Sequence, residues 1–288
     1  MSDEQRGGHG AAADEHVGPP AAAPGAHAAP QAAPGAHGAP AQTGHEVPKI
    51  DVRERGGKGE DGEAQFSDRR LFMQLLAFEV PDTASPSAII GELGAKLVER
   101  KIGAVIYEDA NHPRGFAVAS WSTDPEVFVT QVRPAILDLS TPPKLRPELT
   151  MLGRSYTLGY EEDLEHALVK RPISVALEPT ARWAIWYPLR RNGAFAKLDP
   201  REQAGILREH GIIGRAYGAQ ELAHDIRLAC HGLDAADNEF VIGLVGKDLH
   251  PLSHIVQSMR KTRQTAEFIA QMGPFFVGHI AFRSPGAT

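Results

Sequence analysis

The chain has 288 residues, a formal net charge of −6 and one cysteine, Cys230. That charge argues against the basic footprint of a nucleic-acid binder, and a lone thiol excludes an internal disulfide and argues against cysteine-based zinc or iron–sulfur sites. No apolar run approaches the roughly 18 to 20 residues that span a bilayer, and the start lacks the basic-then-apolar pattern of a secretory signal, so the cytoplasm is the expected compartment.

Residues 1–66 read as a disordered tail rich in Ala, Pro, Gly and His. The unit Ala22-Ala23-Pro24-Gly25-Ala26-His27 returns ten residues later as Ala32-Ala33-Pro34-Gly35-Ala36-His37, and residues 51–63 are charged and glycine-rich. Such sequence buries too little apolar surface to offset an ordering cost of about 1–2 kcal/mol per residue. Its histidines, His9, His16, His27, His37 and His45, are incidental or at most weak metal traps.

The pattern changes near Asp68. Residues 71–80 form an apolar run of strand length closed by Pro81-Asp82, and Ser85-Pro86 opens a helix whose face is Ile89, Ile90, Leu93, Leu97 and Val98. Residues 104–108 and 116–121 read as a hairpin, Asp124-Pro125 opens a second helix, and residues 149–156 give a last strand. The order is β-α-β-β-α-β.

That order returns. Residues 183–189 form a strand, Asp199-Pro200 caps a helix to about Arg208, and residues 222–230 and 240–245 are strands around a polar turn. Lys247-Asp248 starts one long helix through Ile269, and residues 275–282 close the set. The expected fold is α+β: two ferredoxin-like units, at 67–165 and 166–288, whose open sheet faces cover each other in a two-lobed barrel.

The second unit carries the candidate chemistry. His210 follows Ile206 and Leu207 and precedes Ile213, so its imidazole sits on an apolar helical face near a glycine-rich end, where a neutral ring suits a haem iron. Gly211 and Gly214 would allow a flat ring to approach. Tyr187 ends a strand as a phenol able to give a proton or an electron, and Arg190, Arg191 and Arg260 offer forked donors for carboxylates. Each has a plainer alternative: a packed core histidine, a sheet-edge aromatic, a solvated surface. His166, His231, His250, His254 and His279 lack metal-ligand spacing, and no phosphate-binding, zinc-protease or nucleophile-elbow motif occurs.

Over residues 68–282 the chain resembles the chlorite dismutase superfamily, which includes the coproheme decarboxylases. His210-Gly211-Ile212-Ile213-Gly214-Arg215-Ala216-Tyr217-Gly218 is similar to the decarboxylase HGxxGRxYxG signature, with the last glycine shifted by one. Trp186-Tyr187-Pro188-Leu189-Arg190-Arg191 resembles the YPMxK strand of that branch, and Met259-Arg260 with residues 273–278 resembles its last helix and strand. The resemblance implies His210 as proximal iron ligand, Tyr187 as the radical-bearing tyrosine, and Arg191 and Arg260 at the porphyrin propionates. It also implies haem b or iron coproporphyrin III as cofactor, hydrogen peroxide as oxidant and a homo-oligomer, a pentamer, as the assembly. The implied reaction is peroxide-dependent decarboxylation of coproheme to haem b. A haem b peroxidase-like or chlorite-degrading enzyme and a non-catalytic haem carrier or sensor are the alternatives.

Two departures bear on this. Arg191 stands where that branch has lysine. Position 223, where chlorite dismutases place a distal arginine thirteen residues after the histidine, is Ala223. The distal group is therefore Ala223, His224 or Asp225, with His224 the acid–base candidate. Period-two alternation sets Leu222, His224, Ile226 and Leu228 against Ala223, Asp225 and Arg227 without saying which face meets the ligand.

Overall fold

The computed structural model describes residues 47–59 and 61–286. The expected tail therefore lies mostly outside the described residues, with its histidines, but its last part does not fit disorder. Glu54–Lys58 (β1) and Ala64–Ser67 (β2) pair as an antiparallel hairpin. The glycines that suggested disorder have a packing reason. Gly57 donates its N–H to Glu161 O at 2.8 Å, and a Cβ on Gly56 would lie 2.7 Å from Leu164 Cδ2. Gln65 of β2 donates to Glu162 O, and Arg154 donates to Glu54 Oε1 of β1.

The first unit runs Phe72–Glu79 (β3), Pro86–Glu99 (α1), Gly103–Asp109 (β4), Gly115–Ser122 (β5), a wide turn at Phe128–Val132 leading into Arg133–Leu137 (α2), Lys144–Leu145 (β6) and Met151–Arg154 (β7). A linking segment follows, a second wide turn at His166–Lys170 and then Arg171–Ala176 (α3). The second unit runs Trp183–Arg191 (β8), Pro200–Ala219 (α4), His224–Ala229 (β9), Phe240–Gly246 (β10), Leu249–Met259 (α5), Arg263–Phe268 (α6), Ile269–Met272 (β11) and Phe276–Ser284 (β12).

The strands order as β7-β3-β5-β4 in the first unit and β12-β8-β10-β9 in the second, so each places its fourth strand beside its first, third and second. The duplication read from the hydrophobic pattern is therefore real. β4 pairs with β12 and β7 with β9, and the two sheets close into one barrel. At the β7–β9 seam Gly153 is required, because a Cβ there would meet Leu228 Cβ at 2.7 Å. Inside, Leu75, Val105 and Trp121 from one unit pack with Trp186, Ile226 and Val241 from the other. Leu164, Leu168 and Val175 of the linking segment join the same core, a segment the sequence pattern did not assign.

Two boundaries differ from expectation. The helix begun at Asp199, whose carboxylate accepts from Arg201 N at 2.8 Å, does not stop near Arg208 but continues through Gly211 and Gly214 to Ala219. The single helix expected from Lys247 breaks after Met259, where the Thr262 hydroxyl donates to Met259 O at 2.7 Å and satisfies a terminal carbonyl. Ile269 then belongs to a strand.

Candidate functional site

The outer faces of the two sheets are covered unequally. In the first unit the layer between sheet and helices holds sixteen buried and six partly buried apolar residues. In the second it holds seven buried and eleven partly buried. Helix α4 buries only Ile206, so Ile213, Gly214 and Tyr217 stay half-covered above the sheet. A Cβ on Gly211 would meet nothing nearer than Arg215 Nη1 at 3.7 Å, and one on Gly214 nothing nearer than Met259 Cε at 3.6 Å. Among the described residues, no protein atom explains why these positions lack side chains.

His210 projects from this loosely packed helix. Its Nδ1 lies 3.3 Å from Thr262 Oγ1. Because the Thr262 proton goes to Met259 O, Oγ1 is left to accept from Nδ1–H, and Nε2 keeps its lone pair. Burial, then the nearby Arg227 guanidinium, holds the imidazole pKa below its ordinary value, so the ring is neutral at pH 7.

Opposite runs the outer face of β8, β10 and β9. The register places Tyr187, Ile242 and Arg227 in one row and Ile185, Leu244 and Asp225 in the next. The ends of a row are two strand spacings apart, about 10 Å. Tyr187 is buried, with its ring stacked 4.7 Å from Phe275. Burial, then the Asp225 carboxylate, drives its phenol pKa well above the ordinary value against the pull of Arg260.

The other predicted residues divide. Arg260 makes no ion pair among the described residues and borders a cavity of about 280 Å³ with Thr265, Ile269, Gln271 and Met272. Arg191 is committed elsewhere: its N–H and Nε both donate to Glu239 Oε2, at 2.8 and 3.1 Å, and its guanidinium lies over the Phe195 and Phe240 rings. His224 is separated from the group. Its neighbours in alternation, Ile226 and Leu228, point into the barrel core. Its Nε2 sits 2.9 Å from Glu221 Oε2. The face of β9 toward His210 is instead that of Ala223, Asp225 and Arg227.

Sequence reasoning missed how Asp225 is held. Arg171, aimed by the wide turn before Pro172, donates to Asp225 Oδ1 at 2.6 Å and to its backbone O at 2.9 Å, while Arg227 Nε reaches Oδ2 at 3.0 Å. Burial pushes the Asp225 pKa up, but Arg227 and Arg171 pull it down further, leaving it below the usual carboxylate value. Solvent still reaches 34% of the Asp225 side chain and 42% of Arg227. Burial is nonetheless the first influence on the protonation of both. Only long-range contact brings Arg171 here, so no local sequence signal could have found it.

Residues 145–281 match the family model described as chlorite dismutase. The resemblance is to the chlorite dismutase family. In fold it extends over both units. A structure of chlorite dismutase from Candidatus Nitrospira defluvii in complex with imidazole aligns at 12% identity and a TM-score of 0.56, covering 75% of this chain and 92% of that one. A heme-binding protein from Thermus thermophilus aligns at 19% identity and a TM-score of 0.58, covering 73% and 91%. The matched range contains Tyr187, His210, Asp225, Arg227 and Arg260. Among the described residues no helix is long and apolar enough to cross a membrane, and no three His, Cys, Asp or Glu side chains gather to hold a metal ion.

Proposed function

We propose that the chain binds haem in the cleft between α4 and the outer sheet face of the second unit, with His210 Nε2 as the iron ligand. The observation that carries the proposal is the half-covered apolar layer under α4, facing a neutral imidazole with a free nitrogen. A lone histidine suits a haem iron, because the macrocycle would supply four nitrogen donors of its own and no protein ligand cluster is needed. The unexplained glycines at 211 and 214 suit a flat ligand passing close to the helix. The cavity beside Arg260, about 280 Å³, is just smaller than the roughly 300–1,000 Å³ of whole small-molecule pockets. It fits a propionate side chain, and the apolar face beside it fits the macrocycle.

We further propose an oxidoreductase, with peroxide-dependent decarboxylation of coproheme as the reaction. Bound haem iron, given peroxide, supplies the oxidising equivalent. Arg260, without an ion pair among the described residues, is the guanidinium that would hold a propionate carboxylate. Its charge bears on Tyr187, which puts the phenol and the anchored carboxylate in one neighbourhood. The Tyr187 hydroxyl keeps its proton at neutral pH, so loss of an electron from that ring requires the proton at Oη to leave as well. Asp225, kept ionised by Arg227 and Arg171, holds that proton on the neutral phenol and is the negative charge that favours loss of the electron.

The Arg191–Glu239 pair favours a second reading. With that guanidinium occupied, one expected propionate contact is missing, which suits a haem b protein with peroxidase-like or chlorite-degrading activity, or a carrier. Ferric coproporphyrin and ferric haem are titrated separately into the chain, peroxide is added, and product mass is followed. Decarboxylation requires stepwise loss of carbon dioxide from the coproporphyrin complex and its disappearance in Tyr187→Phe. Soret-shifted complexes with no mass loss support the second reading, and the absence of any Soret shift removes both.

A further inference from the structure

In the sequence His250 and His254 look scattered, but the structure sets both on α5, one helical turn apart. Residues four apart on a helix have Cβ atoms about 5–6 Å from each other, and these two imidazole centroids are 5.9 Å apart with planes inclined by 42°. Imidazole nitrogen lies about 2.0–2.1 Å from a bound transition metal, so two rings sharing one ion have centroids roughly 5–6 Å apart. The observed separation falls within that range.

A second contact prepares one of the rings. Tyr217, on the neighbouring α4, hydrogen-bonds through its Oη to His254 Nδ1 and lies 3.2 Å from Ser258 Oγ. With Tyr217 donating to Ser258 and accepting from Nδ1–H, Nε2 of His254 is left as a bare lone pair on an exposed side chain. A partner on the far nitrogen that fixes tautomer and ring plane is the usual outer shell of a metal-bound histidine. His250 is exposed as well. No carboxylate shares the stripe formed by Lys247, His250, His254 and Gln257.

We propose that His250 and His254 form a divalent transition-metal site on α5, with Tyr217 as positioning residue and water in the remaining coordination positions. The two-nitrogen, water-completed donor set selects Cu2+ first, with Ni2+ and Zn2+ weaker, by donor preference and the ordinary stability order. The ion-binding pair itself uses neither His210 nor Arg260, although Tyr217 also packs in the layer under α4.

The test uses the full chain, stripped by chelation and titrated with Cu2+ alone, read by calorimetry and by the nitrogen hyperfine pattern of the bound ion. Histidines among residues 1–46 contribute equally to every variant, so differences isolate the pair. His250→Gln and His254→Gln are each expected to lose one bound Cu2+ per chain and the two-nitrogen signature. Tyr217→Phe is expected to keep the ion about tenfold more weakly, and His210→Ala to leave this site unchanged. Wild-type stoichiometry and spectrum retained in both histidine variants would overturn the proposal, as would loss of the signal in His210→Ala alone.

Discussion

Helices α1 and α4 hold equivalent places in the two units, each joining the first strand to the second, yet they are used differently. In fourteen residues α1 buries Ile89, Ile90, Leu93, Gly94 and Leu97. In twenty, α4 buries Ile206 alone. Burying an aliphatic side chain contributes about 1.5–3 kcal/mol, so the four aliphatics of α1 secure it to its sheet by roughly 6–12 kcal/mol. Nothing comparable secures α4, which is held by its edges: Arg263 bridges to Glu202, and Arg263 N bonds to Glu209. One copy of the fold is closely covered and the other more loosely, and His210, Tyr187 and Arg260 lie in the loosely covered one.

The comparison breaks most sharply at the histidine. His210→Ala is expected to abolish the haem-induced Soret shift while leaving circular dichroism unchanged. A variant binding haem as the wild type does would show that the looser cover serves something else. Next in size is a stability pair. Leu93→Ala in the closely covered unit is expected to cost about 2–5 kcal/mol by urea unfolding, and Ile213→Ala in the loosely covered unit roughly 1 kcal/mol or less in the ligand-free chain, with the gap narrowing when haem covers Ile213. Equal costs without ligand would mean that α4 is as firmly seated as α1.

Arg260→Ala then sharpens the ligand's orientation. Losing a hydrogen bond to a charged group costs about 1.5–3 kcal/mol, or roughly 10- to 150-fold in affinity. The loss should appear for carboxylate-bearing porphyrins and vanish for an esterified one. The smallest effect is on pH. The His210 pKa is depressed, so the folded ring stays neutral while the unfolded ring takes a proton below about 6.5. The Asp225 pKa is depressed too, so its contribution is present above the usual carboxylate range and is lost as pH falls through its folded value. Both lower stability on acidification, His210 first. Between pH 7 and 5.5 the urea midpoint should fall less in His210→Gln than in the wild type.

The barrel was legible because its signals are local: period-two strands, the Asp199-Pro200 and Ser85-Pro86 starts, and a pattern that repeats. His210 and Tyr187 stood out as candidates through motif resemblance. What stayed hidden depends on contacts distant in sequence. Glycines at 56 and 57 looked like a tail because the Tyr160–Leu164 segment that needs them small is about a hundred residues away. Gly211 and Gly214 looked like a helix end because propensity does not register neighbours. The face of β9 that meets α4 was set only by barrel closure, which sends Ile226 and Leu228 inward and brings Arg171 onto Asp225.

Hydrogen exchange along α1 and α4, with and without ferric haem, tests the central claim most directly. In the ligand-free chain α4 should exchange much faster than α1, and saturation with haem should slow α4 while leaving α1 as it was. An α4 already as protected as α1, or one whose exchange haem does not change, would contradict a ligand cleft beneath that helix.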